Sequence, residues 1–171
     1  ASMPETIKTR IETIFETQIL EGYGLSETSP AVCFTHRNEK WKPNSLGTPV
    51  WGVEVKIFDA QDHPLPPGEM GELVVRGHNV MKGYYKRPEA TAEALRSGWF
   101  HTGDLAKMDE EGYFFLIDRL KDMVNRGGFN VYPREVEDVL MTHPAISLAA
   151  VIGVPDQQYG EEVKAFVVLK S

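Results

Sequence analysis

Asp118-Arg119-Leu120-Lys121-Asp122 packs alternating charges into five residues, between an apolar run at Tyr113 to Ile117 and the glycine pair Gly127-Gly128. A strand would not end in so dense a charge cluster without reason, and a helix would not run straight into two glycines. The segment reads as a boundary that holds a polar ligand, turns a domain, or does both. Strand-rich sequence precedes it; a compact strand–helix–strand–strand run follows. The fold class this implies is mixed α/β (α+β), in two bodies that meet at 118–122.

Composition narrows the classes. The 171 residues are 42% hydrophobic and 25% charged, the balance of a globular protein. Nothing approaches the ~18 consecutive apolar residues that span a bilayer, so no transmembrane segment is expected. Ala1-Ser2-Met3-Pro4-Glu5 has neither a basic flank nor an apolar core and does not read as a secretory signal. A single cysteine, Cys33, cannot make an internal disulfide, which fits a reducing, cytoplasmic setting. The net charge is -7 with basic residues scattered, which argues against nucleic acid as a partner. An anionic ligand would need local donors or a metal.

Periodicity places the elements. Pro4 to Phe15 reads as a helix, with Ile7, Ile11, Ile14 and Phe15 at helical spacing. Val53 to Phe58 alternates as a half-buried strand, and Glu72 to Arg76 is a second strand able to pair with it. Pro88 to Arg96 is a short helix closed by Gly98. Leu105 to Met108 and Tyr113 to Ile117 flank Asp109-Glu110-Glu111-Gly112 as a hairpin. Pro133 to Thr142 is helical, with Val136, Val139 and Leu140 expected in the core. Ser147 to Gly153 and Val163 to Leu169 are strands joined by a polar loop containing Pro155 and Gly160.

Three segments carry candidate chemistry. In Glu21-Gly22-Tyr23-Gly24-Leu25-Ser26-Glu27-Thr28-Ser29-Pro30, Gly22 and Gly24 would let the backbone approach a ligand and leave the Tyr23 ring free to stack on a base. Ser26 supplies a hydroxyl, and Glu27 a hard carboxylate of the kind Mg²⁺ takes beside phosphates. The plainer alternative is a glycine-rich loop with a solvated acid. In Trp99-Phe100-His101-Thr102-Gly103-Asp104-Leu105, Asp104 at a strand edge can accept two hydrogen bonds from a ribose diol, or simply cap a turn. His101 reads as a packed or capping side chain. Arg119 and Lys121, two apart, would share a face of an extended chain, and Arg119 offers a planar fork to ribose or phosphate oxygens. Alternatively they form a surface salt-bridge cluster with Asp118 and Asp122, worth little. Gly127-Gly128 allows unusual dihedrals or an ordinary turn.

Together, YGLSETSP at 23–30, GELVVRG at 71–77, GYYKRPEAT at 83–91, WFHTGDL at 99–105 and DRLKDMVNRGGFNVYPREVE at 118–137 resemble the ordered core motifs of the AMP-forming adenylating enzymes. Within that superfamily they look most like fatty-acyl and related carboxylate–CoA ligases. The resemblance implies that Gly22, Tyr23 and Gly24 border adenine, that Ser26 touches ATP phosphates and that Glu27 holds Mg²⁺. It implies that Asp104 binds the ribose hydroxyls with Arg119 assisting. Lys121 would be a hinge, with 118–122 joining 1–117, the C-terminal part of a large AMP-binding domain, to 123–171, part of a small C-terminal domain. Gly127 and Gly128 would border the CoA tunnel. The implied substrates are a medium- or long-chain fatty acid, ATP and CoA, the products acyl-CoA, AMP and pyrophosphate. A homo-oligomer is allowed.

The chain also departs from the family. The Ser/Thr/Gly-rich phosphate loop with its lysine is absent, as is a PKTxxGK-like stretch. The expectation is a family fragment that is not a competent ligase alone. Two rivals share these motifs: an adenylation domain that loads a carrier protein, and a non-catalytic nucleotide- or partner-binding module. Cys33 is expected to be a buried small hydrophobe with no catalytic part.

Overall fold

The computed structural model describes residues 5–37 and 42–170. The chain divides into two compact units, Ala1–Leu116 and Ile117–Ser171. In the first, helix α1 runs over Glu5–Phe15 and stops at Glu16, whose φ is 48°. Pro4 and the side chain of Ile7 lie outside the described residues. Ile11 is half-buried while Ile14 and Phe15 are exposed, so the last turn of the apolar stripe is not covered by the described part of the chain.

Short strands β1 (Gly22–Tyr23), β2 (Cys33–Phe34) and β3 (Ser45–Pro49) lead into β4 (Val53–Phe58) and β5 (Met70–Gly77). The predicted alternation holds in β4: Val53 and Ile57 are buried while Glu54 and Lys56 face water. β4 and β5 pair antiparallel, as expected, from Val53↔Gly77 to Phe58↔Glu72. Helix α2 (Pro88–Ala94) ends earlier than its sequence suggests because the chain turns into a 3₁₀ turn, with Ser97 at φ 55°. Strand β6 (Phe100–Met108) and β7 (Phe114–Arg119) follow. The hairpin between them closes on Asp109, whose Oδ1 accepts the N–H groups of Glu111 and Tyr113. The seven strands form one sheet in the order β1-β2-β3-β7-β6-β5-β4.

β5 lies inside this sheet, and Leu73, Val74 and Val75 are all buried, the mark of a strand covered on both faces. Leu73 and Val75 join Val32, Cys33, Ile57, Phe100 and Phe114 in the main core, while Val74 packs with Phe58 and Trp99. Cys33 is fully buried, and burial pushes its thiol up to about 12. It is a buried small hydrophobe, as its sequence context predicts.

In the second unit, β8 (Val124–Arg126) and β9 (Phe129–Val131) form a hairpin, helix α3 spans Pro133–Met141, and β10 (Ile146–Asp156) pairs antiparallel with β11 (Gly160–Leu169). The sheet order is β10-β11-β8-β9. Two expectations fail here. Val139 is 70% exposed. The covered face of α3 runs through Pro133, Glu137 and Leu140, and at 100° per residue Val139 falls outside that stripe. The loop expected around Pro155 is also absent. Pro155 pairs with Glu161 inside the ladder, on an edge strand where a missing N–H is tolerated. The turn shrinks to 157–159 because Asp156 Oδ1 accepts the N–H groups of Gln158 and Tyr159.

Candidate active site

The segment 21–30 is shaped by its own packing. Gly22 and Tyr23 pair with Phe34 and Cys33. A Cβ on Gly22 would meet the Phe34 ring at 2.5 Å, and one on Gly24 would sit 1.5 Å from the Pro30 carbonyl oxygen. The protein itself fills the space a side chain would take at these glycines, while both remain exposed to solvent. The loop beyond them is knotted by Thr28, which is fully buried. Its hydroxyl accepts the Leu25 N–H at 2.9 Å, and its own N–H donates to Leu25 O at 2.9 Å. Thr28 carried no signal in the sequence beyond its small polar side chain. The knot leaves Ser26 exposed and Glu27 half-buried.

Tyr23 is not a free stacking plate. Its ring packs against the main core, and its hydroxyl donates to Asp104 Oδ2 at 2.5 Å. Burial and then the Asp104 carboxylate push the phenol far above its usual range, so Tyr23 is a permanent donor. Asp104 is buried and stands within β6. The expectations of a strand-edge or turn-capping aspartate are both corrected. Gly103 is of a type depleted in strands, yet it is held within the strand that runs over Phe100–Met108. Residues 81 positions apart thus meet through one hydrogen bond.

Glu27 has a neighbour that the sequence reading missed. Tyr84 donates its hydroxyl to Glu27 Oε1 at 3.0 Å, and Met81 N–H donates to Glu27 O at 2.8 Å. Tyr84 stands in the 83–91 motif but 57 residues from its partner, beyond any local pattern. The carboxylate still fits a hard cation. It is an oxygen donor on a half-buried loop, and Mg²⁺ beside phosphates takes only one or two protein carboxylates.

The second unit holds the other predicted residues. Arg119 is the last residue of β7, and Leu120–Asp122 is a 3₁₀ turn. Arg119 and Lys121 therefore do not share an extended face, because the turn breaks the alternation. Both are exposed. Asp118 has no simple surface role either. Its Oδ1 accepts the Arg119 N–H at 2.8 Å and its Oδ2 the Arg134 N–H at 3.0 Å. It thereby satisfies an N-terminal amide of α3 that the residue before the helix leaves uncapped. Gly127 and Gly128 have φ of 60° and 93° between paired Arg126 and Phe129. Two positive φ values in a two-residue hairpin loop define a primed turn, which demands glycine or asparagine.

Residues 1–85 match the AMP-binding enzyme model and residues 135–171 the AMP-binding enzyme C-terminal domain model. The chain belongs to the AMP-forming adenylating enzymes. It is 48% identical over 174 residues to a long-chain-fatty-acid–CoA ligase of Bacillus subtilis (strain 168), covering 99% of this chain and 30% of that one. It is 51% identical over 150 residues to a feruloyl-CoA synthase of an Amycolatopsis species, covering 87% and 30%. Among solved structures, ATP-bound MatB from Rhodopseudomonas palustris superposes with a TM-score of 0.86 at 40% identity, over 91% of this chain and 31% of that one. The o-succinylbenzoate CoA synthetase of Bacillus subtilis, in complex with the acyl-adenylate intermediate OSB-AMP, gives 0.85 at 35% identity, over 95% and 34%. The chain spans about a third of the length of these relatives. Among the described residues no helix is long and apolar enough to cross a membrane.

Proposed function

We propose that this chain is the adenosine-binding part of a cytoplasmic acid–CoA ligase that activates a medium- or long-chain fatty acid with ATP and transfers the acyl group to CoA. The observation that carries this reading is the Tyr23–Asp104 hydrogen bond. It ties two separate family motifs into one polar spot in the wall of an apolar core. A buried carboxylate held by a phenol can accept from ribose hydroxyls, since an ionised carboxylate offers about four lone-pair sites. Tyr23 borders the adenine, Ser26 meets the phosphates and Arg119 assists at the ribose. Glu27 holds Mg²⁺, steadied by Tyr84; that ion neutralises phosphate charge when bound.

The chemistry is attack of a substrate carboxylate oxygen on the α-phosphorus of ATP. The bond to the bridging oxygen breaks, and pyrophosphate leaves. The CoA thiol, losing its proton, then attacks the acyl carbon and expels AMP. No protein nucleophile takes part, so the work of these residues is positioning and charge complementarity. Lys121, in the turn after β7, serves as the hinge between the two half-reactions. Gly127 and Gly128 line the CoA tunnel. The names of the Bacillus ligase and the feruloyl-CoA synthase support CoA as the acceptor.

The test is a chimera in which these 171 residues replace the matching third of the Bacillus ligase, assayed with hexadecanoate, ATP and either CoA or a phosphopantetheinyl carrier protein. Hexadecanoyl-CoA with stoichiometric AMP and pyrophosphate is the expected result. A folded chimera that binds ATP yet forms no thioester with CoA contradicts the reading, and a thioester on the carrier alone would reassign the acceptor.

A further inference from the structure

The geometry points to Glu72 as a positioning residue that sets Asp104 against the ribose; this rests on the ribose role proposed for Asp104. In the β5–β6 ladder, Glu72 pairs with Leu105 and Val74 with His101. Three residues of β6, Thr102 to Asp104, therefore stand opposite Leu73 alone. Such a bulge disrupts the ladder and re-aims a side chain. Gly103 makes it with φ 73°, and Asp104 is the residue it carries.

Glu72 binds the bulge from across the ladder. Its Oε1 accepts the Gly103 N–H at 2.9 Å. Its Oε2 accepts from His101 Nδ1 at 2.8 Å and from Arg96 Nη2 at 3.1 Å. The Glu72 side chain is 12% exposed and that of His101 3%. From the other side, Thr102 donates its hydroxyl to Leu73 O at 2.6 Å and accepts the Asp104 N–H at 3.1 Å. Side chains thus meet the Gly103 and Asp104 N–H groups and the Leu73 carbonyl, and three of the bulge's polar links converge on Glu72. Loss of its carboxylate strands the Gly103 N–H and the imidazole, and the bulge has no other described anchor for Gly103. Glu72 lies in the 71–77 motif, where an acid at a strand start reads as solvent-facing; only the register shows it turned toward β6.

The experiment measures adenosine and 2′,3′-dideoxyadenosine binding to the chain by calorimetry, in wild type, Glu72→Ala, Glu72→Asp and Glu72→Gln. The same variants are examined by the ¹³C chemical shift of the Tyr23 ring at neutral pH, assigned with Tyr23→Phe. Glu72→Ala should lose about 10-fold in adenosine affinity with less than about twofold change for the dideoxy analogue. The Tyr23 signal should move toward that of an exposed tyrosine as Asp104 leaves its partner. Glu72→Gln keeps an acceptor for Gly103 and should stay within about threefold of wild type. Glu72→Asp, too short to span both partners, should fall between. Equal weakening of both nucleosides, or an unmoved Tyr23 signal in the Ala and Asp variants, would overturn the assignment. If the wild type does not prefer adenosine over its dideoxy analogue, the ribose reading fails, while the Tyr23 signal still decides whether Glu72 places Asp104.

Discussion

The Tyr23 hydroxyl donates to Asp104 Oδ2 at 2.5 Å, and this contact joins the first short strand of the sheet to its bulged sixth strand. It makes the phenol a permanent donor and the carboxylate a preset acceptor. Tyr23→Phe removes the donor and leaves a buried carboxylate less satisfied. The cost should be about 1–3 kcal/mol in urea unfolding. An unchanged midpoint would mean that the hydrogen bond is not formed in solution.

Gly24 is required by close packing. A Cβ there would lie 1.5 Å from Pro30 O, and backbone cannot move that far cheaply. Gly24→Ala should destabilise by more than about 3 kcal/mol. Gly68→Ala provides the contrast. Nothing lies within 4 Å of its Cβ position, and only a φ of 90° opposes it. That change should cost about 1 kcal/mol. Equal losses at the two sites would refute the packing argument.

Lys42 and Asp109 form a pair at 2.5 Å beside the β6–β7 turn. Burial raises the Asp109 carboxyl, but the Lys42 ammonium and the Tyr113 and Glu111 N–H groups outweigh it, so the folded value lies below the usual carboxylate range. A depressed folded value means that the stabilisation is complete above the unfolded value of about 3.9 and is lost as pH falls through the lower folded one. Asp109→Asn should therefore be less stable than wild type at pH 6, and the gap should narrow as pH falls below about 3.9. Urea midpoints across that range check it; a gap constant with pH would contradict it.

Cys33 gives the opposite sign. Its thiol is pushed up to about 12, against about 8.5 for a free cysteine. Its contribution is complete below the unfolded value and declines as pH rises from there toward 12. Stability should fall between pH 8.5 and 10.5 in wild type, and less steeply in Cys33→Ala. A disulfide reagent at pH 8 should label the thiol only as the protein unfolds. Labelling at the rate of a free thiol under native conditions would show that the β2 strand opens locally.

Much of the fold was legible because local signals agreed with the packing. β4 alternates cleanly, its partner β5 follows a proline- and glycine-rich loop, and Asp109 to Gly112 has turn chemistry. The site was legible only as a set of residues. The Tyr23–Asp104 bond and the Tyr84–Glu27 bond span 81 and 57 positions, and nothing local encodes such pairings. The packing need for glycine at Gly22 and Gly24 was not legible, because the sequence does not reveal what fills the space beside a glycine. Asp104 was misplaced because a bulge lets Gly103, a residue type depleted in strands, stand inside one. Val139 was misjudged because a nine-residue helix shows only a narrow stripe to its sheet.

The most direct test of the account is an NMR titration of AMP onto the isotope-labelled chain. AMP should shift the Tyr23 ring and the amides of Thr102 to Leu105 together, along one saturating curve. The shifts should disappear in Asp104→Ala. Binding of AMP that leaves Tyr23 and Asp104 unmoved, or that survives Asp104→Ala unchanged, would contradict the claim that this pair receives the adenosine.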